Sequence, residues 1–404
     1  MPPELTESRA SPWPESRSVE ASRPHGITGL VLLSVGHFFI DLYSGALGAL
    51  QPRLVEQMGL SLTQAGILGG LLVFSASLCQ PLYGTLSDRY GSRLFTVLAP
   101  AVAGLFISCV GVAPNYAVLV LFVLLGGAGI ASFHPQASAW VTQGVSTSRG
   151  TMMAVFISAG TLGMAFGPTY FSFMLQWLGL DRLWWASVPG LLCSAMLWQA
   201  LGPPPRPASK GRLMDLGSLR VVWKPLSLLF WCVFIRSIVQ VTFAQLLPLY
   251  LHRERGFSIP LSNYTLSAYL AFGALGGFLG GRLTDRIGGR KVIMISMLGT
   301  VPLLLLFFLT TGWLSILGLL AGGLMLLFTI PVNVVMAQEL APGRTGVVSA
   351  LMMGFAWGTA GLLFVPLTGR LSETWGMHPV MASLSLFPLI GFALARALPE
   401  PGRG

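Results

Sequence analysis

Long apolar stretches recur along this chain and constrain its fold more than any other feature. After residue 26, twelve stretches are long enough to cross about 30 Å of hydrocarbon as helices that rise about 1.5 Å per residue. A bilayer offers the backbone no hydrogen-bond partners, so such stretches cross it as α-helices. They are predicted at 27–50, 62–83, 94–113, 116–140, 150–175, 183–201, 226–251, 262–282, 292–311, 313–338, 345–370 and 378–397. The sequence therefore predicts an all-α membrane protein with twelve transmembrane helices.

The composition supports a membrane protein. Of the 404 residues, 53% are hydrophobic and only 9% are charged, whereas soluble domains carry about 25% charged residues. The net charge is +10, but the basic residues occur as small groups between apolar stretches and not along one polar face. This distribution is typical of the positive-inside rule, and it excludes nucleic acid as a partner.

The distribution of Lys and Arg predicts how the chain is oriented. With a cytoplasmic N-terminus, 18 of the 24 basic residues fall on the cytoplasmic side and 5 on the opposite side, and Arg236 lies inside a predicted helix. Because basic loops are retained on the cytoplasmic side, we expect both termini there. The predicted location is the inner (plasma) membrane, as a multi-pass protein.

Four segments are predicted along the chain. Residues 1–26 are rich in Pro, Ser, Glu and Arg and are expected to form a disordered cytoplasmic tail. Residues 27–202 are expected to form an N-terminal half of six helices, and residues 226–398 a C-terminal half of six helices. The Pro-rich, basic residues 203–225 between the halves are expected to be a cytoplasmic linker.

A ten-residue motif occurs once in each half. Residues 84–93 (GTLSDRYGSR) and 281–290 (GRLTDRIGGR) fit the pattern G-x-L-[ST]-D-R-x-G-x-R and are 197 residues apart. Such a repeat is typical of transporters built from two pseudo-symmetric halves. Gly permits close helix approach, Asp accepts charge-assisted hydrogen bonds at a helix end, and Arg stays at the headgroup level. The motif residues are Gly84, Asp88, Arg89, Gly91, Arg93, Gly281, Asp285, Arg286, Gly288 and Arg290.

The duplicated motif, at this position between helices, resembles the loop motif of the major facilitator superfamily. The resemblance covers the membrane portion of the chain and implies twelve helices in two halves that work by alternating access. It also implies that the motif Asp helps to lock the outward-facing state. A small-molecule substrate, a lipid bilayer and a monomeric state are expected with it.

Three shorter stretches resemble the fosmidomycin resistance branch of that superfamily. They are residues 37–41 (HFFID), 133–135 (FHP) and 338–344 (QELAPGR). This second resemblance implies an exporter that exchanges a drug for protons.

The fifth predicted helix carries small residues at three- and four-residue spacing, namely Gly160, Gly163 and Gly167, followed by Pro168. Small residues at this spacing let helices approach closely, and Pro bends a helix. The run resembles a Gly- and Pro-rich motif of major facilitator antiporters. Two interpretations remain open, helix packing alone and a specific role in transport.

Ionisable residues inside membrane helices are costly, and they mark functional sites. His37 and Asp41 lie four residues apart on one face of the first predicted helix. They are the predicted proton-coupling pair. The alternative is a hydrogen bond that only orients this helix against a neighbour.

Three further polar residues are predicted to bind substrate. Arg236, in the seventh predicted helix, is a permanent cation that needs an acidic partner or an anionic ligand, and Gln240 follows it by one turn. We expect an Asp41–Arg236 ion pair in the absence of substrate, with a static structural pair as the alternative. His134 is expected to bind either substrate or the backbone carbonyl that Pro135 frees.

Glu339 and Arg344 lie at the cytoplasmic end of the tenth predicted helix and are the gate candidates. They form either a salt bridge that gates the pathway or an ordinary pair at the membrane interface.

Enzymes and ATP-driven pumps are disfavoured by missing motifs. The chain has no G-x-x-x-x-G-K-[ST] loop and no G-x-S-x-G turn. No Cys/His spacing suits zinc, so we expect neither a metal nor a cofactor. The predicted function is a proton-coupled secondary active transporter, an antiporter that exports a drug-like small molecule such as a fosmidomycin-type phosphonate. The alternative is proton-coupled uptake of a small organic anion.

Overall fold

The computed structural model describes residues 26–90, 92–141, 149–202, 220 and 222–399, and every regular element in these residues is helical. The elements of the N-terminal half are α1 (Gly26–Ser44), α2 (Ala46–Met58), α3 (Leu62–Val73), α4 (Gln80–Tyr90), α5 (Leu94–Val97), α6 (Ala99–Ser108), α7 (Tyr116–Val141), α8 (Arg149–Leu178) and α9 (Val188–Ala200). Those of the C-terminal half are α10 (Trp223–Arg255), α11 (Ile259–Ile287), α12 (Gly289–Leu309), α13 (Gly312–Leu327), α14 (Thr329–Leu340), α15 (Thr345–Ala350), α16 (Ala356–Trp375), α17 (Met377–Ser383) and α18 (Phe387–Ala395). The predicted all-α fold class is confirmed.

Ten helical segments of the described residues are long and apolar enough to cross a membrane. The other two predicted crossings are 183–201 and 262–282. The latter lies in α11, whose 29 residues are long enough to span a bilayer. Polar side chains lower its hydropathy, and they face protein because they are buried. The buried polar residues of α11 are Ser262, Asn263, Thr265 and Tyr269.

The first crossing is longer than the sequence predicts. The polar residues after position 50 indicate a helix end, but α2 continues to Met58. Gln51 is fully buried, and its amide nitrogen donates to the carbonyl oxygen of Ala65 at 2.8 Å. The amide nitrogen of Gln51 is therefore bonded inside the protein, although its Oε1 has no partner, and this polar residue does not end the helix.

Two predicted segments fall largely outside the described residues. Only Gly26 of the predicted tail 1–26 is described, and residues 203–219 and 221 of the predicted linker are not. At the other end of that linker, α10 already begins at Trp223.

The helices define two ends of the molecule. At the motif end, α4 stops at Tyr90 and α11 at Ile287; at the far end, α2 stops at Met58 and α16 at Trp375. The two halves pack through α3 with α16, α8 with α11, and α2 with α10.

Glycines bring the halves into close contact. A Cβ on Gly48 would overlap the carbonyl oxygen of Ala244, and one on Gly66 would lie 2.6 Å from the carbonyl oxygen of Val365. Only the missing side chains permit this approach. The halves therefore touch backbone to backbone along α2–α10 and α3–α16.

Candidate transport site

The buried ionisable pair of the first crossing is formed as its spacing predicts. His37 and Asp41 are one turn apart on α1, and they are 7% and 9% exposed. The Nε2 atom of His37 lies 3.3 Å from Oδ2 of Asp41. The Nδ1 atom of His37 lies 2.8 Å from the carbonyl oxygen of Phe156 on α8. The imidazole therefore bridges a carboxylate on its own helix and a backbone carbonyl on another.

A third ionisable side chain joins this pair. His134 on α7 places Nε2 3.6 Å from Oδ1 of Asp41, and its ring meets that of His37 edge to face at 5.1 Å. The ring of Phe156 stacks on that of His37 at 4.1 Å. We call His37, Asp41 and His134 the His–Asp cluster. His134 was predicted as a substrate ligand, and the structure places it beside the predicted proton pair.

The bond to Phe156 determines where a proton can reside in the His–Asp cluster. A carbonyl oxygen only accepts, so Nδ1 of His37 must carry the hydrogen. In the neutral imidazole Nε2 then has a lone pair, which faces a carboxylate oxygen of Asp41. Two acceptors at this distance are held together only by a shared proton or another cation. The pair is therefore built to hold one exchangeable positive charge.

The His–Asp cluster has the composition of a possible metal site as well. One ligand atom from each of its three residues lies within 4.8 Å of the others. The absence of a metal remains a prediction from the sequence.

The predicted small residues of the fifth crossing lie on α8 where it packs against α1. Gly160 lies beside the His–Asp pair, since a Cβ there would be 2.6 Å from Oδ2 of Asp41. Cβ atoms on Gly163 and Gly167 would overlap the carbonyl oxygens of Phe38 and Leu42. Pro168 lies inside α8 and contacts Gly45. The α1–α8 contact thus sets the distance between His37 and the Phe156 carbonyl.

Arg236 is 5% exposed and is held by its own helix, α10. Its Nη1 donates to Oε1 of Gln240 at 2.5 Å and its Nη2 to the hydroxyl of Ser237 at 3.2 Å, while Nε has no partner. Within the described part of the chain, Arg236 forms no ion pair. The expected Asp41–Arg236 pair is therefore wrong for this structure. The reason is that α1 directs Asp41 toward histidines of its own half.

Tyr269 on α11 is a neighbour of Arg236 that the sequence did not single out. It lies at the face of α10 that carries Arg236, since Phe243 follows Arg236 by two helical turns, and its buried hydroxyl has no hydrogen-bond partner. Its ring packs against Phe243 at 5.8 Å and over Gly323. Only its presence among the many aromatic residues of the chain was visible in the sequence.

The last arginine of each loop motif binds the end of the last helix of its own half. Arg93 donates to the carbonyl oxygen of Leu201 after α9 and lies 4.9 Å from the ring of Trp198. Arg290 donates to the carbonyl oxygen of Arg396 after α18 at 2.6 Å. A cation at a helix C-terminus is stabilised by the helix dipole, and both copies of the motif use it.

Gln136 on α7, also missed from the sequence, connects α7 to the first loop motif. Its amide nitrogen donates to the hydroxyl of Ser87 at 2.7 Å and to the carbonyl oxygen of Ser92 at 3.1 Å. Its Oε1 accepts from the hydroxyl of Thr96 at 2.5 Å. This side chain therefore joins α4, the loop and α5. The sequence feature that could have identified Gln136 is its position directly after the Phe133–Pro135 triplet.

The other motif residues lie at equivalent places in the two halves. A Cβ on Gly84 would meet Pro135 at 3.4 Å, and one on Gly281 would meet Pro331 at 3.6 Å. Gly288 ends α11 with φ of 86°, which favours glycine. Arg89, Asp285 and Arg286 are exposed; Gly91 and the side chain of Asp88 lie outside the described residues.

The gate candidates lie at the motif end. Glu339 is exposed on the last turn of α14, and Arg344 lies in the short turn Pro342–Arg344 that follows. The amide of Gln338 donates to the hydroxyl of Ser349 at 2.9 Å, which fixes α14 to α15. The gating role remains a prediction.

At the far end, polar bonds connect the halves. Oε1 of Glu56 on α2 lies 2.8 Å from Nε2 of His252 on α10, and Nδ1 of His252 lies 2.7 Å from the carbonyl oxygen of Phe257. The backbone N–H of Thr63 donates to Glu373 on α16 at 2.9 Å. These contacts join the N-terminal half to the C-terminal half at the far end.

A helical bundle of two packed halves with buried ionisable groups at mid-membrane depth is the architecture of a secondary transporter. The family model described as Major Facilitator Superfamily matches residues 33–363 and 229–404. The chain belongs to the major facilitator superfamily, and its resemblance to that family is confirmed.

Two named relatives match more than nine-tenths of the length of the chain. It is 29% identical over 380 residues to an uncharacterized transporter of this type, YfnC of Bacillus subtilis, with 92% of each chain covered. It is 27% identical over 383 residues to the fosmidomycin resistance protein of Escherichia coli, with 93% of each covered. The fold resembles the inward-facing, occupied crystal structure of a bacterial homolog of the human lysosomal transporter Spinster. That match has a TM-score of 0.78 and 16% identity over 93% of this chain and 97% of the other.

Proposed function

We propose that this protein is a proton-coupled antiporter of the inner (plasma) membrane, with both termini in the cytoplasm, that exports a drug-like small molecule. Membership of the major facilitator superfamily supports transport, and similarity to a fosmidomycin resistance protein supports export of a drug. The surplus of basic residues on the motif-end loops supports the orientation.

One observation carries the proton coupling: Nε2 of His37 faces Oδ2 of Asp41 while Nδ1 bonds the Phe156 carbonyl. With the proton bound, all three groups are satisfied. Without it, two acceptors face each other in a buried site, and their repulsion favours a different packing of α1 on α8. Proton binding and helix arrangement are therefore linked, as alternating access requires.

Replacement of Asp41 by Asn tests this coupling. An Asn amide can donate to Nε2 of His37 permanently and so imitates the protonated state. Asp41→Asn should exchange substrate across the membrane but should not accumulate it against a gradient when a pH difference is imposed. The assay uses proteoliposomes, a pH-sensitive dye and a substrate found by a resistance screen that includes fosmidomycin.

Asp181→Asn is the matched control, because Asp181 is exposed at the far end. It should couple like the wild type. Accumulation by Asp41→Asn at the wild-type rate would show that the coupling proton binds elsewhere.

Uptake of a small organic anion is the second candidate, and Arg236 is the observation that favours it. A buried guanidinium with no ionic partner among the described residues suits an anionic group in either direction of transport. Cells that express the protein distinguish the two, since export lowers and uptake raises the intracellular concentration of a labelled substrate.

A further inference from the structure

We propose that Arg236, Gln240 and Tyr269 form a binding site for a small oxyanion group, a phosphonate or a carboxylate, with the Tyr269 hydroxyl as a donor to that group. This inference rests on the proposed function, because it names the chemical class of the transported molecule and adds a residue to its site. The site lies wholly in the C-terminal half, on α10 and α11.

The first argument is the charge of Arg236. A guanidinium stays protonated, and the interior of a membrane protein is a poor place for an unpaired cation. Asp41, the deep carboxylate of α1, is occupied by His37 and His134. The described residues of the C-terminal half place no carboxylate within ion-pair distance of Arg236. The bound oxyanion group therefore supplies the negative charge that the protein does not provide.

The second argument is the directed donors. Nε of Arg236 is buried without an acceptor, and the hydroxyl of Tyr269 is buried without a partner. Both groups lie at one face of α10, because Phe243, whose ring contacts that of Tyr269, follows Arg236 by two helical turns. Buried polar groups are rarely left unpaired, and two orphaned groups at one place indicate a shared acceptor. An oxyanion offers several acceptor oxygens to a guanidinium edge and a hydroxyl at once.

The third argument is that the donors are held in position. Gln240 and Ser237 hold the two Nη atoms of Arg236, which leaves Nε and the remaining N–H groups for a ligand. The Tyr269 ring is packed between Phe243 and the bare backbone of Gly323. Neither side chain must reorganise to bind, which lowers the entropic cost of binding.

Direct binding to the purified full-length protein tests the site. The probes are methylphosphonate, acetate, inorganic phosphate and chloride, titrated calorimetrically at constant ionic strength. We expect the wild type to bind an oxyanion in preference to chloride. The ratio of methylphosphonate to acetate affinity then distinguishes the two oxyanion classes.

Tyr269→Phe is the decisive variant because it removes one oxygen and keeps the packed ring. We expect it to weaken oxyanion binding about tenfold, as loss of one hydrogen bond to a charged group does, without lowering the unfolding temperature. Arg236→Gln should abolish binding. Tyr90→Phe and Arg182→Gln change exposed residues of the same types and should bind like the wild type.

Wild-type affinity in Tyr269→Phe or in Arg236→Gln would overturn the inference, and so would no oxyanion binding by the wild type at millimolar concentration. Two outcomes distinguish a failure of this inference from a failure of the proposed function. If the oxyanion still binds but the wild type shows no proton-driven transport, the coupling proposal fails and this site stands. If transport is proton-driven but both site variants bind the oxyanion normally, the coupling proposal stands and the proposed oxyanion site is wrong.

Discussion

Replacement of Gly163 by Ala should destabilise the protein and disturb the His–Asp cluster together. A Cβ at this position of α8 would overlap the carbonyl oxygen of Phe38 on α1, closer than real Cβ contacts occur. A backbone carbonyl cannot rotate away as a side chain can. The two helices must therefore move apart locally.

The structure sets the size of the effect. Ordinary contact begins at 3.4 Å, so relief of the overlap requires a shift on the order of 1 Å, and overpacking of this kind costs about 1–3 kcal/mol. Alanine is favoured over glycine within a helix by about 0.5–1 kcal/mol. The midpoints of these two ranges give a net loss of unfolding free energy of about 1 kcal/mol. The same shift lengthens the 2.8 Å bond between His37 and the Phe156 carbonyl.

Gly277→Ala on α11 is the matched control. A Cβ there would lie 3.7 Å from the nearest atom, an ordinary contact, so only the helix-propensity gain remains. In thermal unfolding of the detergent-solubilised protein, Gly277→Ala should unfold at or above the wild-type midpoint and Gly163→Ala below it. Proton-driven transport should fall in Gly163→Ala alone. Equal midpoints for the two variants would refute the reasoning, because the α1–α8 approach would then not depend on glycine.

Two other contacts give further predictions. Gln136→Leu leaves Ser87 and Thr96 without their hydrogen-bond partner and should lower the free energy of unfolding by about 1–3 kcal/mol, measured as a lower unfolding midpoint. The variant should also increase protease cleavage of the first motif loop. Unchanged cleavage would show that Gln136 does not hold this loop in place. His252→Leu removes the bond that joins Glu56 to α10 at the far end. It should increase the labelling, by a membrane-impermeant reagent, of a cysteine introduced beside Glu56. Unchanged labelling would show that access to the far end does not depend on this bond.

The α1–α8 contact also shows which features the local sequence determines and which depend on helix packing. The sequence placed His37 and Asp41 on one face, because positions four apart on a helix always are. It placed Gly160, Gly163 and Gly167 on one face of the fifth crossing for the same reason. Neither stretch shows that these two helices pack against each other. The bond from His37 to the Phe156 carbonyl could therefore not be predicted from the sequence.

The error over Asp41 and Arg236 has a similar origin. Both residues are buried within helices of membrane-spanning length, which agrees with their positions in the apolar stretches. Depth does not determine rotation about the helix axis, and rotation turns Asp41 to His134 and leaves Arg236 beside Gln240. Tyr269 was missed because an aromatic residue in a membrane helix is compatible with lipid, protein or ligand contact.

The sequence by itself determined the class, the helices, the repeat and the family of this protein. In a bilayer each apolar stretch must satisfy its own backbone hydrogen bonds, so it becomes a helix whatever its neighbours are. The tertiary structure alone decided which polar residues meet. Membrane helices pack through small residues and close backbone contacts, and these settle the rotation of each helix through the sum of many weak contacts between segments far apart in the chain. The groups of the His–Asp cluster and of the Arg236 site are brought together only at that level.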